Sequence, residues 1–196
     1  MTIIGFIRHG VTAWNKEGRA QGSSNIPLDE EGVETARKLA ERLAEEKWDI
    51  IFTSPMIRAR QTADLLAEQS GVPVVEDDRL RERSGGLIEG TTEQERLQKW
   101  GPKWRELDLK FETAESVIAR GLEFVNEKIS ENPDQRLLIV SHGSFIKRII
   151  AALMEDSQYA VTIDNTSLTV IDAEKKSCLL LNDTAHLAGG SYGDSV

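Results

Sequence analysis

The stretch Ile3-Ile4-Gly5-Phe6-Ile7-Arg8-His9-Gly10 decides how the chain is read. Its short apolar run reads as a buried strand, and it passes directly into a charged, glycine-terminated motif. The pattern returns at Leu137-Leu138-Ile139-Val140-Ser141-His142-Gly143. A shorter version stands at Ile50-Ile51-Phe52-Thr53-Ser54-Pro55, with Arg58 one helical turn further on.

Helical patterns separate these strands. Asp29 can cap a helix running to about Glu46, with Val33, Ala36, Leu39, Ala40 and Leu43 on one face. Ser54 as N-cap and Pro55 in the first turn open a second helix, which Gly71 ends after Ser70. Val72–Val75 reads as a third strand, and Thr113 to about Asn132 as a helix closed off by Pro133. Phe145–Met154 is a helix after the His142 strand. Leu168–Ile171 and Cys178–Leu181 are late strands around the Glu174-Lys175-Lys176 turn. The alternation predicts an α/β fold: a three-layer sandwich with a mostly parallel central sheet flanked by helices, one domain over residues 1–196. Residues 83–112 break the rhythm and read as a small helical insertion. Trp100, Trp104, Leu107 and Phe111 within it could offer an apolar wall to a substrate.

Composition sets the outer limits. The chain has 196 residues, 24 Lys+Arg against 33 Asp+Glu, a formal net charge of −9 and 39% hydrophobic residues. That is long enough to bury a core and too apolar for a disordered chain. The acidic balance argues against nucleic acid or an anionic membrane as partner. A single cysteine, Cys178, excludes an internal disulfide framework. The apolar N-terminal run is too short for a secretion signal. The run Ile149–Met154, between Lys147-Arg148 and Glu155-Asp156, falls far below the ~20 residues of a membrane span. A soluble, cytoplasmic protein is expected, with the oligomeric state open. The glycine-rich Gly189–Gly193 stretch reads as a frayed end; without Lys-Ser/Thr it carries no nucleotide role.

In an open parallel sheet the carboxyl ends of the strands share one edge, where ligands bind. Spacing alone therefore places His9, His142 and Arg58 around one crevice. Each motif also runs towards a helix N-terminus, which favours an anion. Two histidines, Arg8 and Arg58 among helix N-termini suit a phosphoryl group.

Ile7-Arg8-His9-Gly10-Val11-Thr12-Ala13-Trp14-Asn15 resembles the opening signature of the histidine phosphatase superfamily, also called phosphoglycerate mutase-like. Further blocks follow in the family's order. They are Gln21-Gly22, Ile26 to Gly32, Thr53 to Ala63, Leu80-Arg81-Glu82-Arg83 with Glu89-Gly90, Ala114-Glu115-Ser116 with Arg120, Val140 to Gly143, and Asn182 with His186-Leu187. The resemblance implies that His9 is the nucleophile and forms a phosphohistidine. It places Arg8, Arg58 and His142 around the phosphoryl oxygens, with Asn15, Gln21, Gly22 and Gly143 as further phosphate or substrate contacts. Glu82 would be the acid that protonates the leaving oxygen and then activates water, with Glu89 as its competitor. Val11 and Ile88 depart from the usual pattern, which leaves the substrate contacts open.

The expected function is a phosphomonoester hydrolase of broad specificity, acting on a small-molecule phosphomonoester with no cofactor and no metal. The alternatives are a phosphoglycerate mutase-type phosphoryl transferase and a non-catalytic phosphate-binding module. A metal site on His9, His142 and His186 lacks a His-x-x-x-His pair, and the arginines would repel a cation. The insertion balances its basic and acidic residues and has no adjacent arginine pair, which reads as a poor site for a carboxylate-rich substrate.

Overall fold

The computed structural model describes residues 1–188, so the glycine-rich stretch from Gly189 lies outside the described residues. Six strands form one sheet: β1 (Ile3–Arg8), β2 (Ile50–Thr53), β3 (Val74–Glu76), β4 (Arg136–Ser141), β5 (Leu168–Asp172) and β6 (Ser177–Asp183). Their order is β3-β2-β4-β1-β5-β6. β1 to β4 run parallel, and the β5–β6 hairpin adds antiparallel at the β1 side. The register sets Arg8 opposite Ser141 and Thr53 opposite Val140, so β1, β2 and β4 end at one edge.

Alternation along the strands splits the core in two. Ile4 and Phe6 of β1 join Leu137 and Ile139 of β4 under α5 (Ala114–Glu131) and α6 (Gly143–Leu153). Ile3 and Ile7 join Leu138 and Val140 under α2 (Glu30–Leu43) and α3 (Ile57–Ser70). The period of two in the strands decides which residue meets which helix layer. The short α1 (Ala13–Lys16) and α4 (Glu93–Trp100) lie at the edge of the sandwich, α4 within the insertion.

Helix starts show how local chemistry feeds the site. Asp29 caps α2 by accepting the Gly32 N–H at 2.8 Å, with Glu30 and Glu31 in the first turn. Gly32 also lets α2 sit on the loop after β1: a Cβ there would stand 2.1 Å from the Val11 carbonyl oxygen. The start of α3 differs from the sequence expectation. The helix begins at Ile57, its N-cap is Met56, and no side chain caps it from that position. Instead Asn25, from a separate loop, accepts the Ile57 N–H at 2.7 Å. The Ser54 hydroxyl accepts from Met56 N–H and meets a histidine across the sheet, so it is spent on the site. β3 is shorter than Val72–Val75 and shifted, because Pro73 has no N–H and offers only its carbonyl, to Ile51.

Candidate active site

The loop after β1 holds His9 with its ring 2% exposed at the residue level and its Nδ1 2.7 Å from the Gly10 carbonyl oxygen. A carbonyl only accepts, so Nδ1 carries the proton and Nε2 presents its lone pair. Burial holds His9 well below the ordinary imidazole range, and Arg58 and Arg8 push it further down. The ring is therefore neutral at neutral pH. His142, in the N-cap position of α6, lies with its ring centroid 5.2 Å from that of His9. Its Nε2 is 2.8 Å from Ser54 Oγ, and its Nδ1 is buried with no partner among the described residues. Burial, then Arg58, His9 and Arg8, keep His142 below the usual range as well.

Arg58 rises from the first turn of α3 and is fully buried. Its Nη1 donates to the Ser24 carbonyl at 2.7 Å and its Nη2 to the Gly22 carbonyl at 3.0 Å. Its Nε is buried and has no partner among the described residues, and burial lowers the guanidinium to about 10, which leaves it charged. Arg8 leaves the end of β1, donates from Nη1 to the Ile163 carbonyl at 2.6 Å, and likewise has a buried Nε with no partner among the described residues. Its guanidinium passes so close to α6 that a Cβ on Gly143 would lie 3.2 Å from Arg8 Nε. Buried donors of this kind are strongly disfavoured unless an acceptor reaches them.

Glu82 reaches the same edge from the segment after the 3-10 turn Asp78–Leu80. Its carboxylate accepts three backbone N–H groups: Arg83 at 2.8 Å, Ser144 at 3.1 Å and Phe145 at 2.9 Å. Arg120 of α5 clamps the segment by donating to the Arg79 and Arg81 carbonyls while Glu112 holds its guanidinium. Glu89 has a different place. It accepts from Ser23 N–H, Ser24 Oγ–H and Gly85 N–H, and so ties the Gly22–Ser24 loop to the base of the insertion. Gly22 is needed there: its φ is +46°, and a Cβ would fall 2.2 Å from a Glu89 oxygen.

Asn15 and Gln21 complete the rim. Asn15 Oδ1 accepts from Thr12 N–H in the capping box of α1, and Thr12 Oγ–H donates to Gln21 Oε1 at 3.1 Å. His9, His142, Arg8, Arg58 and Glu82 thus share one sheet edge, with Asn15, Gln21, Gly22 and Gly143 around them.

Sequence reasoning missed Asn165 and Ser54 as site residues. Asn165 Nδ2 donates to the His9 carbonyl at 2.9 Å and the Gly10 carbonyl at 3.1 Å, which fixes the loop that bears His9. The polar run Asp164-Asn165-Thr166-Ser167 before β5 was a turn signal that marked the position without its partner. The apolar wall expected of the insertion is mostly absent from the cleft. Trp104 is buried, donates to Glu93 at 3.1 Å and lies between Arg96 and Arg105. Phe111 alone of that group lines the cleft beside Glu82, with Gly22, Ser84 and Ile88. His186 stands apart, 3.1 Å from Thr166 Oγ and beside Lys38 and Arg42 of α2. Among the described residues no group of three or more His, Cys, Asp or Glu is placed to hold a metal ion. No helix among them is long and apolar enough to cross a membrane.

These three depressed histidines give a stability prediction. Burial holds His9 and His142 well down and His186 at about 4, against an ordinary value of 6.5. Below 6.5 the unfolded chain binds protons that the folded chain refuses, so stability falls as pH drops through that value. Urea midpoints should decline between about pH 7 and 5, before the carboxylates titrate, and a flat profile there contradicts the buried neutral rings.

Residues 4–184 match the family model described as Histidine phosphatase superfamily (branch 1). The uncharacterized phosphatase PhoE of Bacillus subtilis (strain 168) is 33% identical, over 96% of this chain and 98% of its own. Phosphoserine phosphatase 1 of Hydrogenobacter thermophilus is 31% identical over 95% of each chain. Among solved structures, Bacillus stearothermophilus YhfR superposes with a TM-score of 0.85 at 30% identity, covering 95% of this chain and 99% of that one.

Proposed function

The chain belongs to the histidine phosphatase superfamily (branch 1), and from that premise we propose that it is a phosphomonoester hydrolase working through a phosphohistidine on His9. The observation that carries the reading is the His9 tautomer: Nδ1–H is fixed on the Gly10 carbonyl, the ring is neutral, and the buried Nε donors of Arg8 and Arg58 lack acceptors.

His9 Nε2 attacks phosphorus as the bond from phosphorus to the leaving oxygen breaks. Arg8, Arg58 and the free His142 Nδ1 take up the charge on the transferring oxygens, and Asn15, Gln21 and the Gly22 and Gly143 backbones bound the space. Glu82 hands its proton to the leaving oxygen. The three amides fix its carboxylate, two on Oε1 and one on Oε2, and the one remaining lone-pair site, on Oε2, is the place for that proton. Water then attacks the phosphohistidine, gives its proton to Glu82 and releases phosphate, which restores neutral His9. The guanidinium groups supply the positive charge that a metal would otherwise bring. The cleft opens on both sides of Glu82, which supports acceptance of several leaving alcohols.

The test is phosphate release over a diverse phosphomonoester panel, with the His9→Ala protein as blank and EDTA present throughout. Turnover of several members in EDTA is expected. No release from any member would remove the hydrolase reading, and loss on chelation with recovery on added metal would remove its metal independence.

A further inference from the structure

We propose that Lys147 and Arg148 of α6 form a subsite for a second anionic group, so that the preferred leaving alcohol is a short hydroxy acid rather than a neutral or aromatic one. The proposal rests on the phosphomonoester reading above and names the substrate class of that site.

The cleft has two arms that meet at Glu82 and Ser144. The arm towards the insertion encloses about 160 Å³ and is lined by Phe111, Ile88 and small residues. The other arm encloses about 370 Å³ and is lined by Arg8, Glu82, Gly143, Lys147, Arg148 and Ile163, among others. The larger arm is the cationic one.

Helix geometry sets where its charges stand. Lys147 lies four residues after Gly143, the glycine against which the Arg8 guanidinium packs. Arg148 lies four residues after Ser144, whose N–H donates to Glu82. Residues four apart share a helix face, one turn or roughly 5.4 Å along the axis. Both cations are therefore displaced by one turn from the phosphoryl pole, on the side where the leaving group departs. Arg148 is braced there, with Nη1 donating to the Ser144 carbonyl at 2.8 Å and to the Ser144 hydroxyl.

Pairing is the second observation. The chain carries a net charge of −9, and acidic partners outnumber basic ones. Arg60 and Arg79, away from the cleft, are each held by two or more carboxylates, and Arg42, Arg81 and Arg136 by one each. Lys147 and Arg148 have no carboxylate within 4 Å among the described residues, although both line a cavity shared with Glu82. Two unpaired cations in an acidic protein, on one wall of the leaving-group cavity, match a carboxylate on the substrate. The third free cation near them, Arg83, lines the other arm and stacks over Phe111 with its Nε on the Glu112 carbonyl.

The test compares glycerate 3-phosphate with glycerol 3-phosphate, which differ by a carboxylate against a hydroxymethyl group, with p-nitrophenyl phosphate as a reference. The wild-type protein should favour the acid in kcat/KM by about tenfold or more. Lys147→Gln and Arg148→Gln, measured singly and together after thermal melts confirm folding, should reduce that ratio towards unity, mainly through KM. Wild type that favours glycerol 3-phosphate, or that turns over p-nitrophenyl phosphate and neither of the other two, overturns the subsite and leaves the hydrolase reading intact. Variants that slow both substrates equally also overturn it, since that outcome describes general attraction of phosphate. Failure on p-nitrophenyl phosphate as well would strike the hydrolase reading itself, and this inference with it.

Discussion

His9→Ala is expected to abolish turnover: release of phosphate from any good substrate should fall by roughly 10⁴-fold or more, because the proposed nucleophile and covalent intermediate vanish together. The arginines and His142 remain, so the variant should still bind phosphate esters. Binding and chemistry then separate in one protein. The direct measurement is a rapid alkaline quench of wild type with phosphorus-labelled substrate, which preserves phosphohistidine, followed by digestion to locate the label. Label is expected on the peptide containing His9 and on no peptide of the His9→Ala protein. An aryl phosphate should also give a burst of phenol before the steady rate. Label on another residue, or full turnover with neither label nor burst, would sink the covalent step. The substitution removes a ring whose only hydrogen bond among the described residues is to the Gly10 carbonyl, and Asn165 still holds the His9 and Gly10 carbonyls. The loop should keep its shape, which makes the activity loss a statement about chemistry.

Glu82→Gln gives the second large effect, and its size depends on the substrate. Cleavage of an alkyl ester should fall by about 10³-fold, while an activated aryl ester should lose under about tenfold in the phosphoryl-transfer step. A phenolate with a low conjugate-acid pKa leaves without a proton; an alkoxide does not. The comparison must use the burst phase for the aryl ester, since in the proposed mechanism Glu82 also serves the later attack of water. Equal losses in the burst phase and on the alkyl ester would take the proton away from Glu82. Glu89 is a poor heir to the role. Its carboxylate is engaged by Ser23, Ser24 and Gly85, and Glu89→Gln would disturb the loop that Arg58 holds from its other side.

The parts of this architecture that could be read in advance are those written in periodicity. β1 and β4 announce themselves as apolar runs ending in a histidine, and α2 as an amphipathic stripe behind Asp29. The parts that could not be read depend on partners distant in sequence. Ser54 has the chemistry of a helix cap, and only the approach of His142, 88 residues on, reassigns its hydroxyl. The tryptophans of the insertion looked available to a ligand because nothing local shows that Arg96 and Arg105 would cover Trp104. Lys147-Arg148 served in the sequence only as the polar border of an apolar run. The insertion is the richer-looking source of substrate-binding charge in the sequence, yet three of its six cations are held by carboxylates of their own, Arg96 and Arg105 on Glu93 and Lys110 on Asp108. A helix places residues by turns, so charge at its second turn faces a site that its first turn builds.

The base of the insertion has an implication for redesign. Its incoming and outgoing segments are stitched together by Leu87 N–H on the Leu109 carbonyl at 2.8 Å and Glu112 N–H on the Ser84 carbonyl at 3.1 Å. Ala20 and Gly90 add a further seam, with Ala20 N–H on the Thr91 carbonyl at 3.0 Å and Gly90 N–H on the Ala20 carbonyl at 2.8 Å. The span between residues 92 and 108 is therefore held at its two ends, with Arg19 on Glu95 at 2.8 Å as an added tether at the start of α4, and lengthening it beyond that point would add little closure entropy. That span is a cartridge: a different helical arm could be grafted onto the same stem to reshape one wall of the cleft, while the phosphoryl machinery, held from α3, α5 and α6, stays where it is.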